Sequence, residues 1–217
     1  PILANVYLHY VLDLWFEKCI KKQLYGEAYL VRFADDFLIM FQYERDAQRV
    51  YEAIIKRMEL FGLELSKEKT RILPFGRYSV SRETFDFLGF THFNSKTRKG
   101  YYTVGHKISR KKKKQFKSNL KKWVKENRNT QFDEFMKALN KKLTGSFNYY
   151  SLSGMIREVR NLWHHSLYVT FKWINRRSQR RSFKLERFCE IWNDRIIHPY
   201  IHVDIWSGDK VIYNKNV

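Results

Sequence analysis

The sequence predicts an α+β protein in which strands and helices mix up to about residue 106 and nearly everything beyond is helical. Three observations carry this. Short apolar runs separated by Gly, Pro and acidic turns fill the first half, as strands and their hairpins do. From Ser109 onward the apolar residues recur at helical spacing instead. Charge divides at the same place: residues 1–106 hold 16 Lys and Arg against 13 Asp and Glu, and residues 107–217 hold 26 against 9. A near-neutral body followed by a strongly basic module points to a polyanionic partner.

The elements follow in order. Residues 2–22 are dense in apolar side chains and free of Gly and Pro, which predicts a largely buried helix. After Gly26, Tyr29-Leu30-Val31-Arg32 and Phe37-Leu38-Ile39-Met40-Phe41 read as two strands of a hairpin with Asp35 and Asp36 at its tip. Glu44 to Phe61 has helical spacing and Gly62 as its stop. Thr70 to Pro74 and Phe85 to Phe90 read as strands, and Tyr101 to Val104 as another after the turn at Lys96–Gly100. A helix over Gln131 to Leu143 takes Thr130 as its N-cap. Met155 to Ile174 is a long aromatic-rich helix with an irregularity near Thr170, and Phe183 to Ile196 is a further one.

Composition closes several doors. Hydrophobic residues are 44% and aromatics 17%, enough for a real core and against wholesale disorder. Cys19 and Cys189 are far apart and belong to no Cys-x-x-Cys pair, so neither a disulfide framework nor a zinc knuckle is implied. The cysteine usage fits the cytosol or nucleoid, and no run of about 18 uncharged apolar residues offers a membrane span. His164-His165 and His198 with His202 lack the Cys partners or general-base Glu of a metal motif. The chain begins at Pro1, and is expected to be a fragment, a processed product or part of a longer reading frame.

Two adjacent carboxylates at a hairpin tip have two readings. Asp is common in plain turns. Side-by-side like charges also call for a cation, and a hard divalent ion with oxygen ligands, Mg²⁺ above all, answers that need. In two-metal phosphoryl transfer, carboxylates hold the ions that clamp the attacking and leaving oxygens.

Four blocks in order decide between them. Pro1-Ile2-Leu3-Ala4-Asn5-Val6-Tyr7-Leu8 resembles the end of the reverse-transcriptase block that runs to Leu-Leu-Ala-Asn. Phe33-Ala34-Asp35-Asp36 resembles the Tyr-Ala-Asp-Asp box, with Phe for Tyr. Gly62 to Thr70 resembles the block ending in Glu-Lys-Thr, and Phe87-Leu88-Gly89-Phe90 the block that contacts the primer strand. Further on, Leu143-Thr144-Gly145-Ser146-Phe147-Asn148-Tyr149-Tyr150 and Trp173-Ile174-Asn175-Arg176-Arg177-Ser178 resemble the thumb, or maturase domain X, of bacterial group II intron proteins. The resemblance covers Pro1 to about Tyr200. Stand-alone bacterial reverse transcriptases share the palm blocks but usually not this Arg-Arg-Ser-bearing tail.

The resemblance implies a partial polymerase palm, an antiparallel sheet with helices, over residues 1–106. An all-α thumb and maturase region follows over residues 107–217. It implies an RNA-directed DNA polymerase and intron maturase using Mg²⁺. Its partners would be group II intron RNA, an RNA template with a DNA primer, deoxynucleoside triphosphates and target DNA. Asp35 and Asp36 would be the catalytic, metal-holding pair. Ala4, Asn5 and Phe33 would lie near nucleotide, template or primer, and Leu3, Val6 and Leu8 read as plain core. Lys69 stands between a phosphate contact and a solvated edge lysine, with Lys67 a weaker candidate. Gly89 stands between close approach of backbone to primer and a β-bulge.

A palm also needs a third carboxylate, which is expected upstream of Pro1 together with the fingers. The 217-residue chain alone is therefore expected to bind RNA with little polymerase activity. The alternative is a non-catalytic maturase-type RNA-binding protein. The chain lacks the Cys-pair pattern of the DNA endonuclease domain, so second-strand nicking is not supported.

The basic half supplies the nucleic-acid surface. Lys107 to Arg128 holds eleven Lys or Arg, among them Lys111, Lys112, Lys113, Lys114, Lys117 and Lys121. Phe116, Leu120, Trp123 and Val124 form the apolar stripe of the same helix. A second cluster holds Arg176, Arg177, Arg180 and Arg181, where Arg suits bidentate phosphate contacts. Trp163, Tyr168, Phe171, Trp173 and Trp192 fall at helical spacing and are expected chiefly in the core.

Overall fold

The structure is a computed structural model that describes residues 2–66, 68–177, 182–201 and 203. The chain forms two compact units, one of Pro1–Leu88 with Phe93–Val104 and one of Gly89–His92 with Gly105–Val217.

The first unit opens with α1, Ile2–Leu8, and the helical path continues through π-helical turns at His9–Asp13 and Phe16–Ile20 and a 3₁₀ turn at Lys21–Gln23. The π turns show as i→i+5 bonds from the Leu14 and Lys21 amides to the His9 and Phe16 carbonyls. Such turns are uncommon and cluster at functional sites. The expectation of a largely buried helix is corrected here. Only Val11, Leu12 and Phe16 are buried, and Ile2 and Leu3 are 80% and 85% exposed. Leu3 and Val6 are therefore surface, not core. One stripe of this segment faces the hairpin and the following helix, and among the described residues no second layer covers the rest.

Strands β1, Ala28–Phe33, and β2, Asp36–Phe41, pair antiparallel with Phe33 opposite Asp36 and Ala28 opposite Phe41. Side chains alternate across a strand. Leu30, Phe37, Ile39 and Phe41 pack on the core of Val11, Leu12, Phe16, Ala28, Val50, Ile54 and Met58. Tyr29, Val31 and Phe33 face outward and are exposed. The base of the hairpin is anchored by Asp46, whose Oδ2 accepts from the amides of Tyr25 and Gly26 at 3.0 and 3.1 Å. Asp46 sits in the first turn of α2, Glu44–Leu60.

That helix ends as Gly62 predicts. With Gly62 at φ 66°, its amide bonds the Glu59 carbonyl and the Leu63 amide bonds the Met58 carbonyl, the Schellman arrangement. Arg57 donates to the Val11 carbonyl at 3.1 Å, tying α2 to the π-helical segment.

Thr70 to Pro74 is not a strand. The Ser66 carbonyl takes bonds from the Lys69 and Thr70 amides and from the Thr70 hydroxyl. These local bonds outcompete a ladder for which no described strand offers a partner. Phe85 to Phe90 is two strands rather than one. β3, Thr84–Phe87, turns through Leu88 and Gly89 into β4, Phe90–Lys96, which is followed by β5, Tyr102–Ile108, in the sheet order β3-β4-β5. Both Leu88 and Gly89 have positive φ, 50° and 83°, as the central residues of a two-residue hairpin turn require.

The second unit is a helical bundle: α3, Arg110–Asn127; α4, Phe132–Tyr150; α5, Ile156–Ile174; and α6, Leu185–Arg195. Ser109 caps α3 by accepting from the Lys112 amide. Gln131, not Thr130, caps α4, its Oε1 taking the Glu134 amide at 3.0 Å. The expected irregularity near Thr170 is absent, and α5 is continuous. The core joins Leu120, Val124, Phe135, Leu139, Leu143, Val159, Trp163, Phe188 and Trp192. Of the aromatics expected inside, Trp163 and Trp192 are buried, and Phe171 and Trp173 are partly buried against the core. Tyr168 is exposed.

Leu139 has no exposed surface and lies where α4 meets the bundle. Leu139→Ala is expected to cost about 2–5 kcal/mol in urea unfolding of the second unit, through lost burial and the cavity left behind.

Candidate functional site

The acidic tip is set by a two-residue loop. Ala34 and Asp35 connect Phe33 to Asp36, and Ala34 takes φ 55°. The first central position of tight hairpin loops calls for positive φ. An L-residue there costs roughly 1–2 kcal/mol. Asp35 and Asp36 are both exposed. Among the described residues neither carboxylate has a hydrogen-bond or ion-pair partner. Register places Asp36 on the same outward face as Phe33.

The strained loop is held from the inner face by Arg32. Its Nε and Nη2 donate to Oδ1 and Oδ2 of Asp13 at 2.8 and 2.7 Å, a bidentate fork. Its Nη1 donates to the Ala34 carbonyl at 2.8 Å and to Asn5 Oδ1 at 3.0 Å. This bond from a charged donor to the loop carbonyl works against the cost of the left-handed residue. Asp13 is further met by His9 Nδ1 at 3.2 Å. The Arg32 bonds, with help from His9 and against partial burial, hold the Asp13 carboxyl below the ordinary carboxylate range. The same pairing raises Arg32.

Asn5 is thus joined to the tip through Arg32, with Ala4 beside it on exposed α1 surface. Lys69 is exposed on the tight turn that follows Ser66. Lys67 lies outside the described residues. Gly89 belongs to the second unit, where its carbonyl accepts from the Ser109 amide at 2.9 Å. A Cβ at Gly89 would touch Lys112 Cγ at 3.4 Å and the Tyr150 hydroxyl at 3.5 Å. Gly89 is therefore a turn residue under close cover, not a bulge.

The residues that sequence reasoning passed over are Arg32 and Asp13. The signal was available: Arg32 shares the inward register of Ala28 and Leu30, where an unpaired charge would be costly.

On α3, Lys111, Lys112, Lys114, Lys117 and Lys121 are exposed and have no ion-pair partner among the described residues. Lys114, Lys117 and Lys121 stand on one ridge of the helix. Lys113 differs from its neighbours: it is half-buried and bonded to Glu158 at 2.5 Å, joining α3 to α5. Its charge is already neutralised within the fold. Arg176 lies 5.5 Å from the Trp173 ring, which Lys125 and Arg128 also approach at 5.7 and 5.5 Å. Arg177 is half-buried, and Arg180 and Arg181 lie outside the described residues. Behind the lysine ridge, burial and then the charge of Lys117 push the His165 imidazole down.

A depressed carboxylate contributes stability that is complete above its unfolded pKa, near 4, and is lost as pH falls through the lower folded value. The first unit is therefore expected to weaken below about pH 4. In acid unfolding followed by circular dichroism, Asp13→Asn should flatten that limb, and an unchanged limb would remove Asp13 from the account.

No curated protein sequence matches the chain. Two family models do. Residues 1–92 match reverse transcriptase (RNA-dependent DNA polymerase), and residues 113–189 match the group II intron maturase-specific domain. The first contains the acidic hairpin and the Arg32 contacts, and the second contains most of the lysine helix and Arg176 and Arg177. Enzymes of the first kind generally use divalent metal, and both domains work on nucleic acid. Residues 1–92 thus carry a reverse-transcriptase domain and residues 113–189 a group II intron maturase domain, and the two in this order support a group II intron reverse transcriptase/maturase.

Proposed function

We propose that Asp35 and Asp36 hold the divalent ion, Mg²⁺, of an RNA-templated nucleotidyl transfer, and that the lysine face of α3 with Arg176 and Arg177 grips RNA. The observation that carries the first part is the tip itself: two adjacent, exposed carboxylates, without partners among the described residues, on a braced loop inside the reverse-transcriptase match. Two carboxylate donors fit Mg²⁺, which takes its other ligands from water and substrate phosphates. Held by Asp35 and Asp36, Mg²⁺ would supply polarisation of the attacking 3′-oxygen and the nucleotide phosphates.

The remaining residues bind and orient. Phe33 offers an exposed ring beside Asp36, an apolar bed for a sugar or base at the primer end. Asn5 engages Arg32 through its Oδ1 and keeps its amide NH₂ as a donor toward nucleotide or template, with Ala4 leaving room alongside. Lys69 presents a cation suited to the incoming triphosphate. Lys111, Lys112, Lys114, Lys117 and Lys121 supply sequence-independent phosphate contacts, to intron RNA in maturation and to template–primer or target DNA in synthesis.

In the full-length protein, Asp35→Asn is expected to abolish cDNA synthesis while RNA binding survives, and near-wild-type synthesis would overturn the metal assignment. A second experiment replaces Lys111, Lys112 and Lys114 with Gln and leaves the paired Lys113 in place. The slope of log affinity against log salt should then fall by about 0.7–0.9 for each phosphate no longer neutralised. An unchanged slope would move the RNA surface elsewhere.

A further inference from the structure

Among the described residues, Arg32 bonds both the strained loop and the helical segment packed beneath it. Its Nη1 bonds the carbonyl of Ala34, the oxygen of the peptide that leads into Asp35. The orientation of that peptide sets where the Asp35 carboxylate projects. The guanidinium is itself aimed by the fork from Asp13, which closes the first π-helical turn, and by Asn5 on α1. Arg32 is only 13% exposed and Asp13 25%, so this fork is shielded from competing water. A lysine could carry the charge to this place but could not make four bonds in fixed directions.

We infer that Arg32, aimed by Asp13, is a positioning residue that holds the Ala34–Asp35 peptide so that the two tip carboxylates converge on one metal ion. This rests on the metal reading of Asp35 and Asp36. The π-helical turn belongs to the same proposal. The i→i+5 bonding over His9–Asp13 shifts the angular position of Asp13 from that of a regular α-helix, and in this setting its carboxylate meets the fork.

The test compares Arg32→Gln, Arg32→Lys, Asp13→Asn and Asp35→Asn in the full-length protein. Primer extension is measured across Mg²⁺ concentration, and Mn²⁺ binding is read from the electron paramagnetic resonance signal of the free ion. Positioning predicts that Arg32→Gln and Arg32→Lys alike raise the Mg²⁺ concentration for half-maximal extension about tenfold or more. The rate at saturating Mg²⁺ should recover to within a few-fold of wild type, and Mn²⁺ binding should weaken in parallel. Rescue by Lys to wild-type metal dependence would reduce Arg32 to a charge and overturn the inference, as would wild-type metal dependence in Arg32→Gln. A loss of rate that metal does not restore would also count against it. If the Arg32 variants fail to fold by circular dichroism, Asp13→Asn carries the same comparison, with an expected three- to tenfold shift, and no shift overturns the inference. Asp35→Asn separates the two claims: if it binds Mn²⁺ as wild type does, the metal reading itself falls, whatever Arg32 does.

Discussion

Everything about the tip depends on a charged side chain, partly buried, on the inner face of a two-stranded sheet. Arg32 occupies an inward position where a hydrocarbon would ordinarily sit, and the fold meets that cost with a bidentate carboxylate and two further acceptors. The result is a continuous set of bonds from α1 and the π-helical turn to the loop that holds Ala34 at φ 55°. Asp46 does the equivalent at the opposite end, gathering two amides ahead of β1. The hairpin is thus fixed at its base and at its tip, while its outer face stays open among the described residues.

The outer face and the lysine helix show two different uses of charge. Two adjacent carboxylates lie in the open with no partner among the described residues. Lys114, Lys117 and Lys121 of α3 have no ion-pair partner among the described residues, while the partly buried Lys113 is taken up by Glu158. The fold uses paired charge to hold elements together and leaves unpaired charge where a ligand would complete it. On the proposed reading those ligands are Mg²⁺ on one unit and phosphate on the other.

Local chemistry is what a sequence makes legible. The hairpin, the end of α2 at Gly62, the start of α3 at Ser109 and the apolar stripe of α3 all follow from periodicity and capping. The acidic pair stands out because two like charges between apolar runs need an explanation. Burial is harder. An apolar stretch such as Ile2 to Leu8 reads as core, yet whether it is covered depends on what packs over it, which a single segment does not encode. Phe85 to Phe90 reads as one strand because Leu88 accepts a left-handed turn that its side chain disfavours, so only Gly89 gives a hint of the break. Arg32 escapes notice for a similar reason: its meaning lies in a partnership with Asp13, 19 residues away, made by a helical turn that is not α.

The central claim is that Asp35 and Asp36 hold the metal. Adding Fe²⁺ to the protein in place of Mg²⁺ and cleaving the chain with ascorbate and peroxide tests it directly, because hydroxyl radicals cut the backbone within a few ångströms of the iron. The account predicts a dominant cut at residues 33–37, suppressed by excess Mg²⁺. Cleavage confined to other segments, or an unchanged cut at 33–37 when Mg²⁺ is in large excess, would contradict it.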